Sequence, residues 1–336
     1  MLAGKVPPDI LESIVFKYLG KRDPDLILGP GLGEDASLIR IGDQVLVAAT
    51  DPITGSIADI GWLSVHINAN DIATFGVAPR WFLASILLPP STTPNQLKQI
   101  VSQIDEAAKS LGISVAGGHS EITEGITRPI IAGFMLGSTT QGMYVTSSGG
   151  RPGDHIIMTK SAAIEGTAIL ATEGEDFLIH EVGKDKIEAA KRMREDISVV
   201  KEALAAFDTG HLTAMHDPTE GGISGGLHEI CDASNTGFSI DLSKIPITEA
   251  TEEICKALSI NPLELISSGS MIMTCKAESS DDVVKAVQDV GVKASVIGEM
   301  NENPEIRTIK KVDSVKLLPR PKTDSLWDAL AKINPS

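Results

Sequence analysis

The sequence predicts a mixed α/β protein of two domains. Three observations predict it. A chain of 336 residues exceeds the size at which one hydrophobic core is usually enough. Short apolar, strand-like runs alternate with helix-period segments in both halves. A turn-rich stretch, Ser147-Ser148-Gly149-Gly150-Arg151-Pro152-Gly153-Asp154, separates the halves and sets the expected domains at residues 1–150 and 151–336.

The elements follow in order. Ser37 to Arg40 is strand-like, and Gln44 to Ala49 reads as a buried strand leading into Thr50-Asp51-Pro52. A mostly apolar helix is predicted from about Ile60 to Phe75, ended by Gly76. Trp81 to Leu88 is a strand closed by Pro89-Pro90. The next helix carries the clearest start signal: Thr93 caps it, Pro94 takes the first helical position and Gln96 completes a capping box. Leu97, Ile100, Val101, Ile104, Ala108 and Leu111 repeat at helical spacing until Gly112 stops it. Ile113 to Ala116 is a short strand running into Gly117-Gly118, and Ile130 to Leu136 is another. Beyond the boundary, His155 to Thr159 is a strand and Glu165-Gly166-Thr167 begins a helix. Helices are predicted between about Lys184 and Phe207, broken near Glu195-Asp196. Leu212 to Met215 leads into Asp217 to Gly222 and a helix to about Ala233. Strand Phe238 to Leu242, helix Glu249 to Leu258, strand Met271 to Cys275, helix Asp281 to Val290 and strand Ala294 to Ile297 come next. A loop, Pro319-Arg320-Pro321-Lys322, precedes a short final helix.

Composition excludes several classes of function. With 42% hydrophobic and 22% charged residues the chain is ordinary globular material. A formal charge of −16 argues against nucleic-acid binding, which needs Lys and Arg to displace counterions from phosphates. Cys231, Cys255 and Cys275 form no close pair, which excludes a zinc ribbon, a thioredoxin-type motif and a disulfide framework. The start, MLAGKVPPDILESIVF, has no signal-peptide pattern, and no apolar run of about 18 residues is present to span a bilayer. A soluble, cytoplasmic protein without membrane or nucleic-acid partners is expected.

Three acidic sites in the first half do not read as surface charge. Gly33-Glu34-Asp35-Ala36 closes a glycine-rich loop, Gly29 to Gly33. Asp51 follows the apolar strand that ends at Ala49. Asn70-Asp71 lies late in the apolar helix, with Asp71 four residues after Ile67 and therefore on its face. A carboxylate buried alone costs several kcal/mol, so it is paired, hydrogen-bonded or bound to a cation. For Asp51, which precedes Pro52, a turn role is as reasonable as a functional one. No Lys or Arg occurs between Arg40 and Arg80, and magnesium is the natural cation for carboxylates that share it with phosphate oxygens. Gly29-Pro30-Gly31-Leu32-Gly33 and Gly117-Gly118 would let backbone N–H groups approach phosphates, although such glycines singly are more often turns. There is neither a P-loop nor a strand-linked GxGxxG. In the second half, His216-Asp217-Pro218-Thr219-Glu220-Gly221-Gly222 opens a helix whose N-terminus would suit an anion, or is simply a cap and turn. Lys160, ending its strand, is placed to reach a phosphate or is only solvated.

The runs GEDASLI, TDPI, NANDIATFGVAP, VAGGHSEI and HDPTEGGI, in this order over about residues 25 to 300, resemble the PurM-like superfamily of ATP-binding enzymes. Its members include aminoimidazole ribonucleotide (AIR) synthetase, selenophosphate synthetase, thiamine-monophosphate kinase and the hydrogenase-maturation protein HypE. The resemblance is greatest to HypE and to archaeal AIR-synthase-related proteins. It implies an N-terminal α/β domain that pairs with a second copy into a dimeric barrel, a C-terminal α/β sandwich domain, and ATP with Mg²⁺ as cofactors. It also implies γ-phosphoryl transfer that activates an amide or similar oxygen of a small substrate. By motif, Asp35, Asp51 and Asp71 would hold magnesium. Asp51, Asp71 and Asp217, with Lys160, form the expected catalytic set. Gly33, Asp35, Asn70, Gly117, Gly118, His119 and Glu220 form the expected nucleotide-binding set.

Two departures qualify that reading. His119 stands where the motif usually carries Asp or Glu; a neutral imidazole is a poor magnesium ligand and is expected to hydrogen-bond phosphate instead. HypE receives its carbamoyl group on a C-terminal cysteine, whereas this sequence ends Ala331-Lys332-Ile333-Asn334-Pro335-Ser336, and Cys275 lies in an apolar strand pattern. The alternative expectation is therefore a nucleotide-binding protein that serves a maturation partner without catalysis of its own.

Overall fold

The computed structural model describes residues 1, 3–54, 58–312 and 314–333. Asn334 to Ser336 of the cysteine-free tail lie outside them. The chain divides into two compact units: Pro24–Gly29 with Ala36–Tyr144, and Met1–Asp23 with Pro30–Asp35 and Val145–Ser336. A short helix, α1 (Pro8–Ser13), opens the chain and belongs to the larger unit.

The smaller unit is a six-stranded sheet with two helices. Its strands are β1 (Leu26–Leu28), β2 (Ser37–Ile41), β3 (Gln44–Ile53), β4 (Pro79–Leu88), β5 (Ser114–Ile122) and β6 (Ile130–Thr140), in the order β1-β2-β3-β6-β4-β5. Among its described residues only β4 and β5 pair in parallel. Helix α2 (Ile60–Ala73) is buried on nearly every side, because it packs against β3, β6 and the following helix α3 (Pro94–Ser110). That explains an apolar sequence without a stripe. α3 buries Ile100, Ile104, Ala107 and Ala108 and starts on the predicted capping box, with Thr93 N–H donating to Gln96 Oε1 at 2.8 Å. Val45, Val47, Phe82, Ile86, Ile131 and Met135 are buried. Their alternates on the sheet's other face, Leu46, Leu83, Leu87 and Leu136, are only partly covered, and Phe134 is 45% exposed.

Two strands run further than their sequence patterns. β3 continues through Thr50-Asp51-Pro52 to Ile53, because β6 offers a partner to every residue of it, Asp51 facing Gly133. Asp51 thus lies within a strand rather than beyond its end. β5 passes straight through Gly117-Gly118-His119 to Ile122, paired with β4, although all nine of its residues are exposed.

The larger unit is a seven-stranded sheet flanked by helices. Along the chain come β7 (Asp154–Thr159), α4 (Ile164–Glu173), α5 (Glu175–Val182), α6 (Lys184–Arg192), α7 (Val200–Phe207), β8 (Leu212–His216), α8 (Gly222–Ser234), β9 (Gly237–Asp241) and α9 (Glu249–Ala257). β10 (Ile272–Lys276), α10 (Ser280–Asp289), β11 (Ala294–Asn301), β12 (Arg307–Lys311), β13 (Ser314–Leu317) and α11 (Ser325–Ile333) complete it. The sheet order is β13-β12-β9-β11-β7-β10-β8. Ile156, Met158, Leu227, Ile230, Phe238 and Met300 share one core cluster, which joins α8 to the sheet. Leu170, Leu178, Ile187, Ile254 and Leu326 share a second, which joins α4, α5, α6, α9 and α11. No helix among the described residues is long and apolar enough to cross a membrane.

Candidate functional site

In the smaller unit the site is built on Asn68, a buried amide inside α2. Its Oδ1 accepts from the Asp51 N–H at 2.8 Å, and its Nδ2 donates to the Asp51 carbonyl at 3.2 Å and to the Ser64 carbonyl at 2.9 Å. Helix and strand are thereby stapled at Asp51. Gly133, opposite Asp51 on β6, makes room for it: a Cβ there would collide with the Asn68 amide and the Phe82 ring. Asp71 follows Asn68 by three residues, on an adjacent stretch of the same helix surface, and is 5% exposed. Thr74 Oγ1 donates to its carbonyl at 2.7 Å, and Thr74 N–H caps Asn70 at 2.9 Å. Asp71 thus lies one helical turn beyond the residue that holds Asp51. Asn68 is not among the residues marked by motif; its one sequence signal is an amide in a helix with no exposed face to put it on.

Sheet register locates the glycine pair. Asp51, Gly133, Ala84 and Gly118 form one row across β3, β6, β4 and β5. Three strand spacings separate its ends, about 14 Å. Gly118 lies so close to the Ala84 backbone that a Cβ would clash, so its first duty is strand packing. His119 belongs to the next row, with Ser85, and strand alternation turns it to the opposite face from Asp51. Its Nε2 meets Glu121 Oε2 at 3.2 Å, while Thr123 Oγ1 donates to Glu121 Oε1 at 2.7 Å.

The larger unit holds the glycine-rich loop. Gly33 has φ +73°, and a Cβ there would strike the Glu229 carbonyl of α8, so only glycine lets the loop lie on that helix. Glu34 Oε2 accepts from Ser147 N–H at 3.2 Å, and burial raises its pKa. Asp35 then reaches His216 at the end of β8: Nδ1 stands 2.9 Å from Oδ1 and 3.0 Å from Oδ2. Nε2 of the same ring is 3.0 Å from Glu229 Oε2. Both ring nitrogens face carboxylates, so both donate and the ring is an imidazolium. Burial opposes that charge, but Asp35 and Glu229 outweigh it and push the pKa up to about 10. Burial likewise opposes the charge on Glu229, and Lys5 and His216 overcome it, holding the carboxyl far below its usual range.

The other candidates of this unit sit apart in role. Asp217 is 1% exposed, directly after His216. Glu220 Oε2 accepts from the Lys5 backbone N–H at 2.6 Å. Lys160 is engaged inside the unit: its ammonium lies 2.6 Å from Glu202 and donates to the carbonyls of Ser198, Asp196 and Gly269 at 2.6 to 2.9 Å. No local pattern marks Glu202 as its partner. Asp324 is a further residue not singled out. It accepts from Gly221 N–H at 2.6 Å and from the Leu326 and Ile266 N–H groups at 2.7 and 3.2 Å, which binds the start of α11 to the loop before α8. Burial raises its pKa to about 6 against those three donors. An Asp just before Ser-Leu-Trp was a legible helix-start signal. Among the described residues no three His, Cys, Asp or Glu side chains cluster so as to hold a metal ion.

Two α/β units of this topology make a PurM-like two-domain fold. The chain belongs to the AIR synthase related protein family, whose N-terminal domain matches residues 33–139 and whose C-terminal domain matches residues 151–311. It is similar to a protein of Methanocaldococcus jannaschii named for hydrogenase expression and formation, at 27% identity over 88% of each chain. It is also similar to the carbamoyl dehydratase HypE of Cupriavidus necator, at 28% identity over 77% of this chain and 74% of that one. Among solved structures, the HypE–HypF complex aligns with TM-score 0.76 and 20% identity, covering 93% of this chain and 99% of that one. HypE in complex with ATP aligns with TM-score 0.73 and 19% identity, covering 96% and 97%. At those identities the structures establish the fold.

Proposed function

We propose that the protein binds ATP with magnesium and transfers the γ-phosphoryl group to an amide-type oxygen of a small substrate. The Asn68 staple carries this reading. It fixes Asp51 beside the helix that bears Asp71, in a stretch from Ile41 to Pro79 that contains no Lys or Arg. Two carboxylates fit magnesium, which takes one or two from protein and completes its shell with phosphate oxygens and water. Asp51 and Asp71 would hold the ion; Asp35, proposed with them on its motif, is bound to His216 in the larger unit. Bound there, magnesium supplies neutralisation of phosphate charge. Asp217, Glu220, Asn70, Gly117 and Gly118 are proposed contacts to nucleotide or substrate; His119, turned to the sheet face opposite Asp51 and set against Glu121, is left out. Lys160 is left out, its ammonium being already engaged by Glu202. The ATP complex of HypE and the name carbamoyl dehydratase among the relatives favour an ATP-dependent activation of a carbonyl oxygen.

The partly open, apolar face of the six-stranded sheet, with Phe134 at its centre, favours a homodimer formed over it. The absence of a membrane-crossing helix among the described residues is compatible with a cytoplasmic protein.

ADP formation from ATP, magnesium and a panel of primary amides and carbamoyl compounds tests the proposal. At least one compound should stimulate ADP release, and Asp51→Asn and Asp71→Asn should each lower it about 100-fold. Wild-type protein that binds no nucleotide, or variants that retain full activity, would refute it. A second reading, a nucleotide-binding partner of a maturation complex, has one observation in its favour. All three cysteines of the sequence are buried, and burial raises their pKa values to about 11 or 12, so none is poised to accept a carbamoyl group. Nucleotide binding without stimulation by any compound, together with a stable co-purifying protein, would favour it.

A further inference from the structure

We propose that Lys5, Glu229 and His216 form a positioning relay that ties the seating of the N-terminal segment to the carboxylate of Asp35. The inference rests on the reading of Asp35 as a residue of the nucleotide–metal site. The four groups form an unbroken chain: Lys5 Nζ to Glu229 Oε1 at 3.3 Å, Glu229 Oε2 to His216 Nε2 at 3.0 Å, and His216 Nδ1 to Asp35 at 2.9 Å. Charge alternates along it, so each member is held by the next. Side-chain exposure falls from 50% at Lys5 through 17% at Glu229 to 2% at His216, which makes Lys5 the only member that solvent reaches freely.

The N-terminal segment is itself gripped at three points. Lys5 N–H donates to Glu220 Oε2 at 2.6 Å, Thr323 Oγ1 donates to the Ala3 carbonyl at 2.9 Å, and Lys5 Nζ holds Glu229. Gly4 between them has φ +109°, and a Cβ there would press on Glu220 and approach the Trp327 indole. The segment therefore seats in one way, and its seating delivers the ammonium to Glu229. A cation at that point keeps Glu229 ionised and aimed at His216. His216 in turn holds both oxygens of Asp35 at the end of a loop whose backbone Gly33 already presses onto α8. Lys5 acts through two other side chains on the orientation of a carboxylate, and its role is positional.

Amide hydrogen exchange of the full chain without ligand tests the relay directly. Lys5→Met should raise exchange of residues 30–36 about threefold, the effect expected of a part-exposed ion pair. Glu229→Gln should raise it further, His216→Gln most of all, and Lys5→Arg should restore the wild-type rate. A Lys5 that served only its own segment would loosen residues 3–6 and leave 30–36 unchanged, which would overturn the proposal. Calorimetric titration of the ATP analogue AMPPCP at varied Mg²⁺ supplies the second readout: Lys5→Met should raise the Mg²⁺ needed for half-saturation roughly tenfold, as loss of an outer-shell contact does. Graded exchange in a wild-type protein that binds no AMPPCP would uphold the relay and sink the nucleotide reading. Intact binding with no change at residues 30–36 would do the reverse.

Discussion

Replacing His216 by Gln tests the electrostatic account of the larger unit most severely. The imidazolium is buried between Asp35 and Glu229 at about 3 Å from each, and its pKa lies near 10 in the folded chain. Unfolded, a histidine titrates near 6.5, and the interval at 1.36 kcal/mol per pH unit corresponds to about 5 kcal/mol. Breaking a buried pair by removing one partner costs about 3–5 kcal/mol, so the two routes agree. The sign is fixed by linkage. A pKa raised in the folded state contributes fully below the unfolded value and is lost as pH rises toward the folded one. The gap between wild type and His216→Gln should therefore be widest near pH 6 and shrink steadily toward pH 10. At pH 6 the melting temperature should drop by about 10–20 °C, at roughly 2–4 °C per kcal/mol for a unit of this size. Urea unfolding at four pH values between 6 and 10, followed by far-ultraviolet circular dichroism, measures both quantities. A gap under about 0.5 kcal/mol, or one that does not change with pH, would refute the buried imidazolium.

Three other outcomes follow from the same geometry. Asn68→Ala removes the staple and strands the Asp51 backbone groups, so it should cost about 1–3 kcal/mol in thermal unfolding and weaken Mg²⁺-dependent AMPPCP binding more than binding without the ion. Asp324 has its pKa raised to about 6, so its contribution falls as pH rises from about 4 to 6; urea denaturation should find the balance between wild type and Asp324→Asn moving in favour of the variant from pH 4.5 to pH 7. Cys231, Cys255 and Cys275 are buried with raised pKa values, so a thiol-specific disulfide reagent at pH 8 should react with none of them until the chain is unfolded in guanidinium.

The elements that the sequence displayed plainly are those whose signals are local. Thr93, Pro94 and Gln96 announce α3 because a capping box is built from one turn of backbone. The local pattern ends β5 at Ala116 because Gly117 and Gly118 break any strand pattern; pairing with β4, recruited from earlier in the chain, extends it. β3 was cut short at Ala49 for the same reason, since Pro52 reads as a stop until β6 accepts it as an edge-tolerant partner. Gly33 was legible as special but not as what it is: the clash that demands glycine is with Glu229, nearly two hundred residues away. Lys160 looked available because Glu202 lies in a helix whose sequence says nothing of a buried acid. Of the residues singled out by motif, Asp51 lies within β3, Asp71 in α2, and Gly33 and Asp35 in the larger unit, while Asn68, His216 and Glu229, which hold Asp51 and Asp35, depend on contacts across the fold.

Those orienting groups divide into two kinds, and the division bears on chemistry. Asn68 holds Asp51 by its backbone and is neutral, so it fixes position without offsetting the aspartate's charge. His216 and Lys5 are cations, and with Glu229 they balance Asp35 within the protein. A divalent ion is drawn by negative charge that the protein has positioned but not neutralised. Asp51 is positioned by a neutral amide through its backbone, whereas Asp35 is positioned by a cation that also binds its carboxylate. The two aspartates therefore answer differently to perturbation: loss of Asn68 acts on Asp51 through backbone position alone, and loss of His216 acts on Asp35 through position and charge together.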